Sequence, residues 1–143
     1  MSKIYWAAPL HDESDRQRNA KYVQRLRAEG HVVYVPQEHG IWEEELGKFH
    51  GDIVATRKHF YELDLKACKE ADICIACAGD KMSPRGPSEG MLWEMGLMSG
   101  CQKTVILFND HDYWDYNLMP QFGSTYFNDF GAILKFLREE EFQ

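Results

Sequence analysis

ADICIACAGDKMSPRGPSEGMLWEMG, residues 71–96, is the stretch whose reading decides the fold. Asp72–Ala76 is an unbroken apolar run too short for a helix, as expected of an interior parallel strand covered on both faces. The turn-rich loop AGDKMSPRGPS follows it, and a helical pattern then runs from Ser88 or Glu89 to about Ser99, with Gly100 as its stop. Strand, loop and helix in that order form half of a βαβ unit, and the same alternation extends in both directions. Upstream, Ile4–Ala8 reads as a strand stopped by Pro9. A helix capped by Asp12 or Ser14 runs to Glu29 with Ala20, Val23 and Leu26–Arg27 on its apolar stripe, and Gly30 ends it. His31–Val35 is a second strand, closed by Pro36, and a helix runs from Ile53 to about Glu70. Downstream, Thr104–Phe108 is a fourth strand and Asp129 caps a last helix from Phe130 to about Glu141. The segments 36–52 and 109–124 are irregular and aromatic. Four strands alternating with four helices predict an α/β fold: a single doubly wound, flavodoxin/Rossmann-like open parallel sheet flanked by helices, one domain over residues 1–143. In such a sheet ligands sit beyond the carboxyl ends of the strands, so loops 7–13, 36–52, 77–90 and 109–119 are the candidate walls of a site.

Composition narrows the function classes. The 143 residues are 44% hydrophobic and 27% charged, which excludes a disordered chain, and the formal net charge of −7 repels phosphate backbones and anionic lipid. A nucleic-acid polymer and a membrane are therefore not the expected partners. A small anion remains possible, because a helix terminus and one cation outweigh distant surface charge. No apolar run reaches the roughly 18–20 residues of a membrane span, and the sequence MSKIYWAAPL lacks a signal peptide's basic start and apolar centre; a cytoplasmic protein is expected. The four cysteines, Cys68, Cys74, Cys77 and Cys101, read as buried free thiols. Cys74 and Cys77 spell C-x-x-C, but a strand turns them to opposite faces and no second pair follows at zinc-site spacing. The scattered histidines His31, His50, His59 and His111 also lack ligand spacing. No metal and no cofactor are expected.

The chemistry concentrates at the start of the helix in 86–96. Pro87, Ser88 and Gly90 mark a helix N-terminus whose free amides and positive dipole end suit an oxygen-rich or anionic group, and Gly90 removes a side chain that would block close approach. Glu94 projects from the second turn beside Met91 and Trp93, which are expected to exclude water. A carboxylate there serves as nucleophile or base. Trp6, Trp42, Tyr61, Trp93, Tyr113 and Trp114 flank the pocket loops, where a flat base stacks between rings.

The run S-x-G-x-x-x-E-x-G at 88–96, together with IYWAAPL at 4–10, Asp64-Leu65 ahead of Ala71-Asp72, and Asn117-Leu118-Met119, resembles the nucleoside 2-deoxyribosyltransferase family over nearly the whole chain. The resemblance implies cleavage of an N-glycosidic bond through a covalent sugar on Glu94. Tyr5 would orient that carboxylate, Asp64 would handle the proton of the departing base, and Asn117 would reach the sugar's 5′ end from a neighbouring subunit. It implies as partners a nucleoside or nucleotide, a free nucleobase, and further copies of the chain in a homo-oligomer with shared active sites. Glycosyl transfer with retention needs two carboxyl groups in electrically different settings, and Glu94 and Asp64 suit those roles. Asp72, at the start of its strand, reads as structural.

Two departures from the transferase pattern matter. The base-exchanging enzymes have an aspartate six positions before the nucleophile; here Ser88 stands there, and a serine at a helix N-terminus accepts a 5′-phosphate that a carboxylate would repel. Many transferases also place a base-reading glutamine near Gly40, whereas His39 resembles the histidine of superfamily members that hydrolyse nucleoside 5′-monophosphates. In the other direction, Ala8-Pro9-Leu10 and Asn117-Leu118-Met119 are closer to the transferases. His11 stands where some hydrolases use a phosphate-binding arginine, a role Arg85 could fill. Transfer of 2-deoxyribose between bases is the first expectation, and hydrolysis of a 5′-monophosphate the second. A non-catalytic nucleotide-sensing module on the same fold is the alternative from another class, with a flavodoxin-like redox carrier behind it.

Overall fold

The computed structural model describes residues 1–10, 13–39, 53–78, 89–110 and 118–140. Its elements in chain order are β1 (Lys3–Ala7), α1 (Glu13–Ala28), β2 (Val32–Tyr34), α2 (Pro36–His39), α3 (Ile53–Glu70), β3 (Ile73–Cys77), α4 (Glu89–Gly100), β4 (Thr104–Phe108), α5 (Leu118–Phe122), β5 (Thr125–Phe127) and α6 (Phe130–Glu139). The strands form one sheet in the order β2-β1-β3-β4-β5, and every adjacent pair is parallel. The chain leaves β1 in one direction to form β2 and returns past it to form β3. The crevice between the carboxyl ends of β1 and β3 is thus the topological switch point, where doubly wound folds hold their ligands.

Strand alternation sorts the core into two layers. Ile4, Trp6, Ile73, Ile75, Cys77, Ile106 and Phe108 face α1 and α6. Tyr5, Ala7, Cys74, Ala76, Val105 and Leu107 face α3 and α4. Cys74 and Cys77 therefore lie in different layers, as a strand requires. All four cysteines are free thiols, but Cys101 is exposed, against the expectation of four buried ones: it lies just past the end of α4, beyond the buried stripe. α6 buries Phe130, Ile133, Leu134 and Leu137, a helical stripe that begins immediately after Asp129, whose side chain accepts from the Ala132 amide. α4 buries Met91, Met95 and Met98. No described helix is long and apolar enough to cross a membrane.

Several boundaries differ from the sequence reading. The described part of α1 already includes Ser14, which is therefore within the helix and not its cap; Asp12 lies outside the described residues. Ala20 is exposed, and the buried stripe is Asn19, Tyr22, Val23 and Leu26. Asn19 is buried because it satisfies three groups: its Oδ1 accepts from the Trp6 indole at 3.0 Å, and its Nδ2 donates to the Pro9 carbonyl and to Gln37 Oε1, each at 3.0 Å. A buried polar side chain this fully paired carries little desolvation penalty. The segment after Pro36 opens with one helical turn, α2. A fifth strand, β5, lies just past the irregular stretch 109–124, in residues to which the sequence reading gave no element: it is three residues long, pairs with β4 and is partly exposed, so it shows neither an apolar run nor alternation. Gly100 is the last residue of α4 and not the stop after it; the left-handed position past the helix end is Gln102, with φ +60°. Asp72 has the structural role expected, its carboxylate accepting from the Lys3 amide at 3.1 Å.

Candidate active site

Register places the centre of the site. Tyr5 on β1 is opposite Tyr34 on β2 and Cys74 on β3, so these three side chains form a row across the α3/α4 face near the switch point. Glu94 lies one turn from both Met91 and Met98 on α4, which draws it onto the edge of the buried stripe. Asp64 lies one turn before the buried Cys68 on α3 and is drawn in the same way. Lys103 ties the end of α3 to the start of β4: its Nζ donates to the carbonyl of Cys68 at 3.1 Å and to those of Lys69 and Ala71. A cation at a helix C-terminus is favourable for the last carbonyls and for the dipole.

Two tyrosine–carboxyl pairs result. The Tyr5 hydroxyl donates to Glu94 Oε2, and the Tyr34 hydroxyl donates to Asp64 Oδ1 at 2.9 Å. The rings of Tyr5 and Tyr34 stack at 5.6 Å between centroids and 13° between planes. His39, the last residue of α2, also stacks on Tyr34, at 4.7 Å and 10°.

The two carboxyls differ electrically. Burial pushes Glu94 up to about 7; the Tyr5 hydrogen bond opposes that shift and the charge of Asp64 adds to it. Burial also raises Asp64, against the Tyr34 hydrogen bond and the charge of His39. Tyr5 is held firmly protonated, first by burial and then by the two carboxylates, so it acts as a donor. The Cys68 thiol is pushed up to about 12, chiefly by burial and then by Glu94, and Cys74 stands well above its usual range by burial. Neither offers a thiolate. Both carboxyls are raised by burial and each is held by its own phenol, so the two share a proton near neutral pH, and the arrangement with Glu94 ionised and Asp64 protonated is the one suited to nucleophilic and acid–base chemistry at one carbon.

Of the site residues read from the sequence, the structure brings together Tyr5, Glu94, Asp64 and His39. Gly90 is exposed in the first turn of α4, and a Cβ there would meet no protein atom within 4 Å, so packing does not demand its glycine. Ala8 follows β1, and its side chain is packed in the α1/α6 layer. Trp93 is 53% exposed, edge-on to Tyr61 at 6.1 Å, so it does not exclude water as expected; Met91 is buried in the core, and so is Trp6. Ser88, Asn117 and His11, with Pro87, Arg85, His50, His111, Trp42, Tyr113 and Trp114, lie outside the described residues. Gln37, the glutamine nearest Gly40, is bound to α1: Nε2 donates to the Arg16 carbonyl at 2.9 Å and Oε1 accepts from Asn19. The residue missed from the sequence is Tyr34. Alternation in HVVYV separates Tyr34 from Val33 and Val35, but it is the register of β1 and β2 that sets Tyr34 beside Tyr5.

The family model of the nucleoside 2-deoxyribosyltransferases matches residues 4–134. The chain belongs to that family. Among solved structures, it is similar to a 2-deoxyribosyltransferase from Bacillus psychrosaccharolyticus, with 30% identity and a TM-score of 0.76 over 99% of this chain and 93% of that one. Two further structures share the deoxyribosyltransferase fold at lower identity. One is a conserved protein from Enterococcus faecalis V583, at 16% identity and TM-score 0.73 over 97% of this chain and 98% of that one. The other is a CMP N-glycosidase from Clostridium botulinum, at 21% and 0.61 over 95% and 97%. A search of curated protein sequences gave no match. The matched region, 4–134, contains both tyrosine–carboxyl pairs.

Proposed function

We propose that this deoxyribosyltransferase-family enzyme cleaves the N-glycosidic bond of a 2′-deoxynucleoside and passes the sugar to another nucleobase or to water. The observation that carries this is the pairing of Glu94 with Tyr5 and of Asp64 with Tyr34 on one face of the sheet at its switch point. In the first half-reaction the ionised Glu94 attacks the anomeric carbon and a C–O bond forms as the C–N bond breaks. The bonding pair stays on the base nitrogen, which takes a proton from Asp64. In the second half-reaction an incoming base nitrogen or a water oxygen attacks the same carbon, the ester to Glu94 breaks, and Asp64 takes back a proton. Both carboxyl roles are supplied by the chain itself, so the mechanism calls for no cofactor and no metal. Gly90, Ala8 and His39, with Ser88, His11 and Trp93, are proposed to contact substrate, all within one domain spanning residues 1–143.

The decisive experiment incubates the protein with a deoxynucleoside and a second free base and follows both bases by chromatography. Exchange is expected from the wild type and is lost in Glu94→Ala; full turnover by that variant would sink the mechanism. The second reading, hydrolysis of a nucleoside 5′-monophosphate, is favoured by His39, which lies over Tyr34 while Gln37 is engaged with α1. Base release from 5′-monophosphates alone, unaffected by a second base, selects hydrolysis over transfer. Tight nucleotide binding with no base release selects the sensing module.

We further propose a homo-oligomer in which Asn117 of one copy reaches the site of another. Leu118, Met119 and Phe122 on α5 are 63%, 72% and 81% exposed, an apolar face that this chain's own core leaves uncovered. A second copy is the proposed occupant, and a fully active monomer by light scattering would contradict it.

A further inference from the structure

We propose that Tyr34 is the positioning residue for Asp64: held by the rings of Tyr5 and His39, its hydroxyl fixes Oδ1 and leaves Oδ2 as the oxygen that hands the proton to the departing base. This deepens the glycosidic reading above and rests on it. Three observations carry it. The hydroxyl is 2.9 Å from Oδ1, a full-strength hydrogen bond. The ring has little freedom, because Tyr5 and His39 both stack on it, within 13° and 10° of parallel. His39 is itself fixed, because α2 is tied to α1 at two points: Gln37 bonds Asn19 and the Arg16 carbonyl, and Glu38 forms an ion pair with Arg27 at 2.6 Å. α2 is thereby coupled mechanically to the acid, since moving it moves His39, the ring of Tyr34 and the carboxyl it holds.

The geometry makes a difference to the reaction. A carboxyl free to rotate presents either oxygen to the base nitrogen, whereas one held at Oδ1 presents a single oxygen along a single line, and proton transfer depends steeply on that line. The step balances without other reactants: the C–N bonding pair moves to the base nitrogen, that nitrogen takes the Oδ2 proton, and Asp64 is left as a carboxylate that accepts from Tyr34.

The test uses Tyr34→Phe, which keeps the stacked ring and removes only the hydroxyl. Among the described residues, the groups facing Asp64 are Tyr34 on β2, His39 on α2, Cys68 on its own helix, Tyr5 on β1 and Glu94 on α4. All but Tyr34 remain in the variant. The Asp64 carboxyl is titrated by carbon-13 NMR, its signal assigned by its absence in Asp64→Asn, and kcat and KM are measured from pH 5 to 9. Loss of a donor to the ionised form moves the Asp64 titration to higher pH than in wild type. With it, kcat falls ~10-fold while KM changes less than ~3-fold, and the alkaline limb of kcat moves up. A Tyr34→Phe carboxyl that titrates where the wild-type one does overturns the proposal, and so does an unchanged kcat profile. If the wild type turns over neither nucleosides nor nucleotides, the glycosidic reading has failed, and the titration alone decides whether Tyr34 holds Asp64.

Discussion

The Tyr5 hydroxyl donates to Oε2 of Glu94, joining the middle of the first strand to the second turn of a helix across 89 positions of sequence. That bond occupies one carboxylate oxygen and leaves Oε1 as the one that attacks carbon. It also favours the ionised form against burial, which is the form a nucleophile needs. Tyr5→Phe is therefore expected to lower kcat ~10–100-fold, with KM moving less. The acid limb of the kcat profile moves to higher pH than in wild type, because the neutral carboxyl persists further. A limb that stays in place would show that Tyr5 only packs.

Glu94 near 7 has consequences for both activity and stability. Activity needs the carboxylate, so kcat is expected to fall on the acid side with a midpoint close to 7, as read by initial rates across pH 5–9. The stability sign follows from linkage. The folded state holds this proton more tightly than the unfolded one, whose carboxyl titrates near 4.5, so the neutral form's contribution is complete below 4.5 and is lost as pH rises through 7. Glu94→Gln, which has no charge to bury, is expected to be more stable than wild type at pH 8 by ~1–3 kcal/mol and no more stable at pH 4. Urea denaturation at the two pH values measures this, and equal differences at both would show that burial of the charge is not what the fold resists.

The role given to Asp64 is tested by a substrate that needs no acid. A purine alkylated at N7 carries its positive charge before the bond breaks and leaves as a neutral base, without taking up a proton. Asp64→Asn is expected to slow ordinary deoxynucleosides ~10²–10⁴-fold but the 7-methylpurine deoxynucleoside by less than ~10-fold. Equal losses on both substrates would move Asp64 from proton transfer to binding.

What the sequence showed of this molecule depended on how strongly each residue's surroundings constrained it. β3 and β4 were legible because interior strands are apolar on both faces, and α6 because its stripe is regular and Asp129 caps it. β5 was not, since three partly exposed residues at a sheet edge carry no pattern. Glu94 was read first from its place in the second turn of a helix, and Asp64 and Tyr5 were found through the family motif. Tyr34 belongs to no motif and becomes visible only when register sets it opposite Tyr5. Asn19 was hidden for a related reason: a polar residue in an apolar stripe is explained only by partners distant in sequence, such as the Trp6 indole 13 positions away.

The carboxyl ends of α1 and α4, at the sheet edge away from the site, lead to opposite predictions from one motif. At the end of α1 the His31 amide donates to the Leu26 carbonyl and the Gly30 amide to that of Arg27, with Gly30 at φ +91°. At the end of α4 the Lys103 amide donates to the Met98 carbonyl and the Gln102 amide to that of Ser99, with Gln102 at φ +60°. Both are the same left-handed cap, filled by glycine in one case and by a residue with a Cβ in the other. The left-handed conformation costs a residue with a Cβ about 1–2 kcal/mol, partly offset by its lower entropy in the unfolded chain. Gln102→Gly is thus expected to stabilise the fold by ~1 kcal/mol and Gly30→Ala to destabilise it by a similar amount, each a shift of about 3 °C in Tm. Gly100→Ala, at the position the sequence pointed to as the stop, removes a helical glycine where a Cβ meets nothing within 4 Å, and is expected to raise Tm as well. Thermal unfolding of the three variants checks all of these together, and a loss of stability in Gly100→Ala with none in Gly30→Ala would show that the helix ends were assigned to the wrong residues.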